Sequence, residues 1–371
     1  MEIDVRRDFG GFTLDARIER DGPGLTALFG RSGSGKTTLI NLIAGLERPD
    51  EGRIVIGGRT LFDSSAGIDV PPERRRLGYV FQDARLFPHY SVRGNLRYGM
   101  AGRDEPGEFE RIVKLLGLEA LLDRRPHRLS GGESHRVAIG RALLAKPRLL
   151  LMDEPLASLD GARKDEIMTF IEQLRDTLDI NIIYVSHNMD EVIRLADDLV
   201  VLDEGRVAAV GDVVEVTSRL DLRPLTGRYE AGAVLSAKLE GHDDEYDLSY
   251  LGFPGGRLTV SRLDLEIGAP IRVRVRARDV SLALEPPRRS SVLNVFEGVV
   301  AEMGDEPGPQ IDVLIHTGGD ADCPLWARIT RKSAKNLGLV RGSPVYALVK
   351  TVALDRYSLG RGAAAGRFRP G

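Results

Sequence analysis

Cysteine is almost absent from this chain. Cys323 is the single one among 371 residues, which excludes an internal disulfide and a cysteine-rich metal site and fits a reducing compartment. A strong charge of either sign is also missing. Lys and Arg number 52 against 55 Asp and Glu, for a net charge of −3, so no global basic bias points to nucleic acid. No run approaches eighteen apolar residues, so the chain is not expected to cross a membrane by itself. The opening MEIDVRRDFGGF is charged early and carries no apolar core of signal-peptide length. What is present is an ordinary apolar fraction, 42%, on a chain long for one domain, so two domains are expected.

Four short segments fall in a fixed order along the first two-thirds. Residues 30–38 read GRSGSGKTT, 130–133 read SGGE, 149–155 read LLLMDEP, and His187 closes NIIYVSH. Around them, compact apolar runs at 25–29, 149–152, 182–185 and 199–202 read as strands buried on both faces of a parallel sheet. Leu39, Leu42, Ile43 and Leu46 recur at helical spacing, and that helix is expected to end near Gly45 and Pro49. Residues from about 85 to 145 are more polar and helix-like and suggest a helical subdomain. The fold class read from this is an α/β core with a mostly parallel sheet.

Gly30-x4-Gly35-Lys36-Thr37 fits a phosphate-binding loop, placed as required after a strand and before a helix. Its glycines let backbone N–H groups turn around an anion, and the helix start adds a positive end. Gly30, Arg31, Ser32, Gly33, Ser34, Gly35, Lys36, Thr37 and Thr38 are the expected nucleotide contacts. Lys36 is placed on the β- and γ-phosphates and the Thr37 hydroxyl on Mg²⁺. Asp153, ending the next apolar run, is placed in the Mg²⁺ shell, and Glu154 as the group that polarises the attacking water. His187 is expected to contact the γ-phosphate, and Gln82 the Mg²⁺ or the water.

With these residues in order, residues 1–228 resemble the ATP-binding cassette ATPases, whose signature motif matches Ser130, Gly131, Gly132 and Glu133. The resemblance implies ATP and Mg²⁺ as ligands and a head-to-tail homodimer. In it, ATP held by one loop is capped by the serine and glycine amides of the other copy. Ser158 and Asp160 match the family's segment after the carboxylates. Glu133 replaces the usual Gln, and Ser134-His135 stands where many relatives carry Lys-Gln or a similar pair. Phe9 is the candidate for stacking on adenine, with Phe12 second.

Residues 78–99, GYVFQDARLFPHYSVRGNLRYG, are similar to the ATPase subunits of molybdate importers. The resemblance implies two integral-membrane permease subunits touching the stretch around Leu86, Phe87, Pro88 and His89. It also implies an oxyanion-binding protein outside the membrane acting indirectly, and a peripheral position on the cytoplasmic face of the cell membrane. After about residue 228 the pattern changes to short alternating runs, as in Ile271-Arg-Val-Arg-Val-Arg276, read as an all-β module. A connecting β segment is expected over 229–288, a small OB-like barrel over 289–355 and a disordered tail over 356–371. The barrel resembles the molybdate-binding domain of these importers. By position Ser291, Thr330 and Lys350 match its oxyanion site, whereas Leu293 stands where many relatives place Arg. Importers of sulfate or ferric iron, a soluble cassette ATPase and an oxyanion sensor remain as alternatives.

Overall fold

The computed structural model describes residues 1–100, 106–157, 159, 161–178, 180–219, 221–222, 225, 232–304, 308–319, 323–351 and 359–361. Two compact units result. One comprises Met1–Asn188 and Leu195–Gly211; the other comprises Met189–Arg194 and the described residues from Asp212 on.

The first unit is built on strands β1 (Glu2–Asp8), β2 (Thr13–Glu19), β3 (Gly24–Phe29), β4 (Glu51–Ile56), β5 (Arg59–Asp63), β6 (Ile68–Asp69), β7 (Leu77–Val80), β8 (Leu149–Asp153), β9 (Asn181–Ser186), β10 (Asp198–Asp203) and β11 (Arg206–Asp212). They form one sheet in the order β6-β5-β4-β1-β2-β11-β10-β3-β9-β8-β7. From β10 to β7 every pairing is parallel, as the apolar runs predict. The residues of β8 are all buried, which is what a strand covered on both faces requires. The other half, β1, β2, β4, β5 and β6, pairs antiparallel. Its alternating burial, plain in β2, is the half-solvated pattern of a meander. The whole sheet is therefore mixed.

Helices complete the unit: α1 (Lys36–Ala44), α2 (Val92–Met100), α3 (Glu108–Leu115), α4 (Gly131–Leu144), α5 (Gly161–Thr177) and α6 (Met189–Leu195), the last with its first six residues in the second unit. α1 stops at Gly45, whose φ of 77° suits a glycine cap. The carbonyls of Leu42 and Ile43 accept from the buried Arg75 guanidinium at 2.9 and 2.8 Å. α2 and α4 pack together, with α3 against α4, and make the expected helical layer.

The second unit adds α7 (Val213–Ser218), β12 (Gly232–Asp243), β13 (Leu248–Phe253), β14 (Gly256–Ser261), β15 (Pro270–Arg276), β16 (Val280–Ala283), β17 (Asn294–Met303), β18 (Gln310–Thr317), β19 (Cys323–Thr330), α8 (Arg331–Asn336), β20 (Pro344–Val349) and β21 (Leu359–Arg361). Two five-stranded sheets form, β14-β13-β12-β15-β21 and β16-β20-β17-β18-β19, and every described pairing in them is antiparallel. One apolar core serves both, from Leu235 and Val273 to Trp326 and Ala347. Strands β12 to β15, within the expected connecting segment, thus form a sheet together with β21, which falls inside the stretch expected to be a disordered tail, and β16 joins the second sheet. The alternation in β15 does not leave its arginines in water. Arg272 and Arg274 are buried, and Arg274 and Arg276 both pair with Asp190 of the same unit.

Candidate nucleotide site

The parallel strands β3, β9, β8 and β7 lie side by side and point the same way. Four sequence-predicted segments follow their C-terminal ends. The 30–38 loop follows β3, His187 follows β9, Asp153 and Glu154 close β8, and Gln82 follows β7. Ligands of open α/β sheets bind at this edge. Segments more than a hundred residues apart are therefore brought together by strand order alone.

Within the loop, Gly33 and Gly35 have φ of 84° and 100°, the left-handed region that glycine enters without strain. At Gly30 a Cβ would lie 2.3 Å from the Leu202 carbonyl oxygen, so no other residue fits. Lys36 is buried, and its Nζ donates to the carbonyls of Gly30 and Arg31 at 2.8 and 2.9 Å. An ammonium carries three N–H donors, so the loop holds it at its rim with one to spare. Burial lowers the basicity of Lys36, and Glu154 and Asp153 oppose this. The buried Ser34 Oγ has no hydrogen-bond partner among the described residues, which fits a cradle built for an anion. Ser32 and Arg31 are exposed on its outer side, Thr37 is exposed and Thr38 half-buried.

Thr37 Oγ1 donates to Asp153 Oδ1 at 3.4 Å. Burial pushes the Asp153 carboxyl above its ordinary value, against the Thr37 bond. A hydroxyl and a desolvated carboxylate side by side are a donor set suited to a small hard cation such as Mg²⁺. Glu154 adopts φ of 44°, an uncommon backbone for a residue with a side chain. Its N–H donates to the Val185 carbonyl at 3.1 Å. This turn carries the carboxylate to 3.1 Å from His187 Nδ1. The base candidate and the histidine thus form a pair at the sheet edge, with the histidine open to solvent.

Ser130 is the N-cap of α4 in a reciprocal capping box. Its Oγ accepts from Glu133 N at 3.2 Å, and Glu133 Oε2 accepts from Ser130 N at 2.6 Å. Glu133 therefore does the structural work open to Gln at this position. Gly131 is exposed and Gly132 buried. Ser158 and Asp160 lie outside the described residues.

Two further expectations concern the stacking aromatic and the oxyanion site. An open cavity of about 750 Å³ beside Gly33 is lined by Gly11, Phe12, Asp203 and Arg206, and Phe12 also packs at Gly35. Phe9 is 45% exposed, which leaves its ring open for stacking, while Phe12 is the aromatic that lines this cavity. The grouping of Ser291, Thr330 and Lys350 into one site does not hold. Ser291 precedes Asn294, which pairs with Val349 beside Lys350, whereas Thr330 pairs with Gln310, beyond the Met303↔Val313 pair at the other end of β17. A ten-residue strand spans about 30 Å. The Thr330 hydroxyl is engaged as the cap of α8, accepting from Ser333 N at 3.0 Å.

Sequence reasoning did not reach Tyr79. Its ring stacks on Phe81 at 4.0 Å between centroids and its hydroxyl donates to Asn41 at 3.1 Å. Burial raises its pKa, with the Asp153 charge adding to this. An aromatic inside an apolar strand carries no sequence signal of that contact.

The fold and this edge together define a P-loop nucleoside triphosphatase. A family model described as ABC transporter matches residues 21–157, and one described as TOBE domain matches residues 290–355. The molybdenum import ATP-binding protein ModC of Paramagnetospirillum magneticum is 52% identical over 359 residues, 96% of this chain and 98% of that protein. The protein of that name from Rhodospirillum rubrum is 51% identical, over 97% and 98%. Among solved structures, cbiO1 from Clostridium perfringens, part of the ABC transporter complex cbiONQ, matches with a TM-score of 0.53 at 30% identity, covering 60% of this chain and 91% of that one. The chain belongs to the molybdenum import ATP-binding protein family of ABC transporter ATPases.

Proposed function

We propose that this chain is the ATP-hydrolysing subunit of a molybdate importer, with tungstate as a second possible cargo. The observation that carries the reading is the match to relatives named for molybdenum import across both units, 52% identical over 96% of the chain. The roles follow from the site. The 30–38 loop holds the phosphates, with Ser34 and Lys36 supplying donors. Thr37, Asp153 and Gln82 would hold Mg²⁺, which neutralises charge on the phosphates when bound. Glu154 takes the proton of the attacking water, and His187, against Glu154, orients that carboxylate and faces the γ-phosphate. Phe12 is the stacking aromatic.

Two copies act together, the Ser130–Gly132 turn of one closing on the nucleotide of the other. Closure depends on the γ-phosphate, and that differential interaction can move a membrane partner. The partners are two permease subunits, docked near residues 86–89 at the cytoplasmic face, with an oxyanion receptor acting from outside. Nucleic acid has no part in it. No described helix is long and apolar enough to cross a membrane.

The substrate is tested in vesicles containing the permease, this chain and the receptor. Molybdate-loaded receptor is expected to stimulate ATP hydrolysis severalfold and sulfate-loaded receptor to leave it at the basal rate. Stimulation by sulfate or ferric iron instead would remove the molybdate assignment.

A further inference from the structure

His135 stands at the departure from the family pattern and is 3% exposed. Its ring bridges two segments of the nucleotide site. Nδ1 lies 3.0 Å from the Gly131 carbonyl oxygen and Nε2 lies 3.1 Å from that of Gln82, 53 residues away in sequence. Both partners are acceptors and a neutral imidazole carries one N–H, so the ring donates to one carbonyl at a time, the tautomer deciding which.

The neighbourhood shows why this contact matters. Arg141, further along α4, donates to the carbonyls of Arg85 and Ala84 at 3.0 and 3.3 Å, and its guanidinium lies 5.2 Å from the Phe87 ring centre. Asn95 of α2, fully buried, accepts from Phe87 N at 2.8 Å and donates to Phe87 O at 3.1 Å. The backbone of residues 82–87 is thus fastened to the helical layer at three places. Of these three side chains, His135 is the one whose ring also lies against the Ser130–Gly132 turn, 3.0 Å from the Gly131 carbonyl oxygen. Sliding the loop against the turn would break the contact between this buried ring and the Gln82 carbonyl, which is unfavourable.

We propose that His135 is a positioning residue that locks the Gln82 loop to the Ser130–Gly132 turn, so that the two move as one body. The inference rests on the reading that the turn closes on the nucleotide of a second copy. Gln82 faces the nucleotide of its own copy and the turn faces that of the other. His135 therefore makes occupancy of one site set the position of the cap on the other. Its imidazole suits the task because a rigid ring, itself in the first turns of α4, reaches the Gln82 carbonyl.

The test uses the full chain in the Glu154→Gln background, reading ATP affinity by calorimetry and dimer formation by sedimentation, with turnover measured in the Glu154 protein. His135→Met, similar in size and without a donor, is expected to bind ATP within about twofold of its parent. It is also expected to need roughly tenfold more protein to dimerise, and to lower kcat about tenfold with KM nearly unchanged. His135→Gln, whose amide offers two N–H groups, is expected to recover most of both. A His135→Met protein that dimerises and turns over like its parent overturns the proposal. Should His135→Met not fold, His135→Asn replaces it, because its shorter amide cannot reach the Gln82 carbonyl. Parent-like behaviour of His135→Asn overturns the proposal equally. The Glu154→Gln parent is the control: if it stays monomeric with ATP and Mg²⁺, the shared-nucleotide reading fails and takes this inference with it, whereas a dimeric parent and an unaffected His135→Met indict His135 alone.

Discussion

Lys36 shows the cost at which a proposed phosphate ligand is held. Its ammonium is buried, and desolvation outweighs the two nearby carboxylates in setting its basicity. Replacement by Met removes a charge the fold does not favour. Lys36→Met is therefore expected to melt no earlier than the parent without nucleotide, yet to lose at least tenfold in ATP affinity. Scanning calorimetry with and without ATP checks both, since a ligand that binds only the folded state raises the melting temperature. Glu154 follows the same logic in its backbone, because a left-handed φ on a side-chain-bearing residue is tolerated where surrounding structure enforces it. The place of Gly33, Gly35, Lys36 and Thr37 in a loop between β3 and α1 was legible in the sequence, because spacing alone marks that loop. The contacts of Tyr79 with Asn41 and of His135 with Gln82 were not, because those partners are distant in the chain and set by packing.

At the scale of elements, α4 carries the turn proposed to cap the second nucleotide, and its start is held by the Ser130–Glu133 box. Glu133→Gln keeps an acceptor and is expected to be neutral. Glu133→Ala opens the box and is expected to cost about 1 kcal/mol, read as a lower denaturation midpoint, with a loss of turnover because the turn loses its fixed geometry. The parallel strands were readable as uniform apolar runs, and α1 from its spacing and its glycine stop. The antiparallel half of the first sheet was less so, since β4, β5 and β6 are short and join β1 by pairings that no local pattern announces. β15 was legible as a strand from its strict alternation, but alternation did not reveal that Arg272 and Arg274 are buried, with Asp190 supplying charge for Arg274.

At the scale of the whole molecule, the chain combines an ATPase unit with an all-antiparallel unit whose two sheets share one core. Sequence patterning showed that a β module follows residue 228. It could not show that β21, near the end, returns to pair with β15, nor that register parts Thr330 from Ser291 and Lys350. Neither unit crosses a membrane by a described helix, so in this account work on a permease must come from a change in how two copies meet. The nucleotide edge of one copy offers a loop, a carboxylate and a histidine. The Ser130–Gly132 turn lies on another segment and is proposed to serve a different nucleotide.

Sedimentation of the Glu154→Gln protein, saturated with ATP and Mg²⁺, tests that claim most directly. The substitution keeps the shape of the site and removes the proposed base, so hydrolysis should fall by about 10²–10⁴ while ATP still binds. The account predicts a dimer that dissociates when ADP replaces ATP. A protein that sediments as single copies under both conditions, even with the permease supplied, would contradict it.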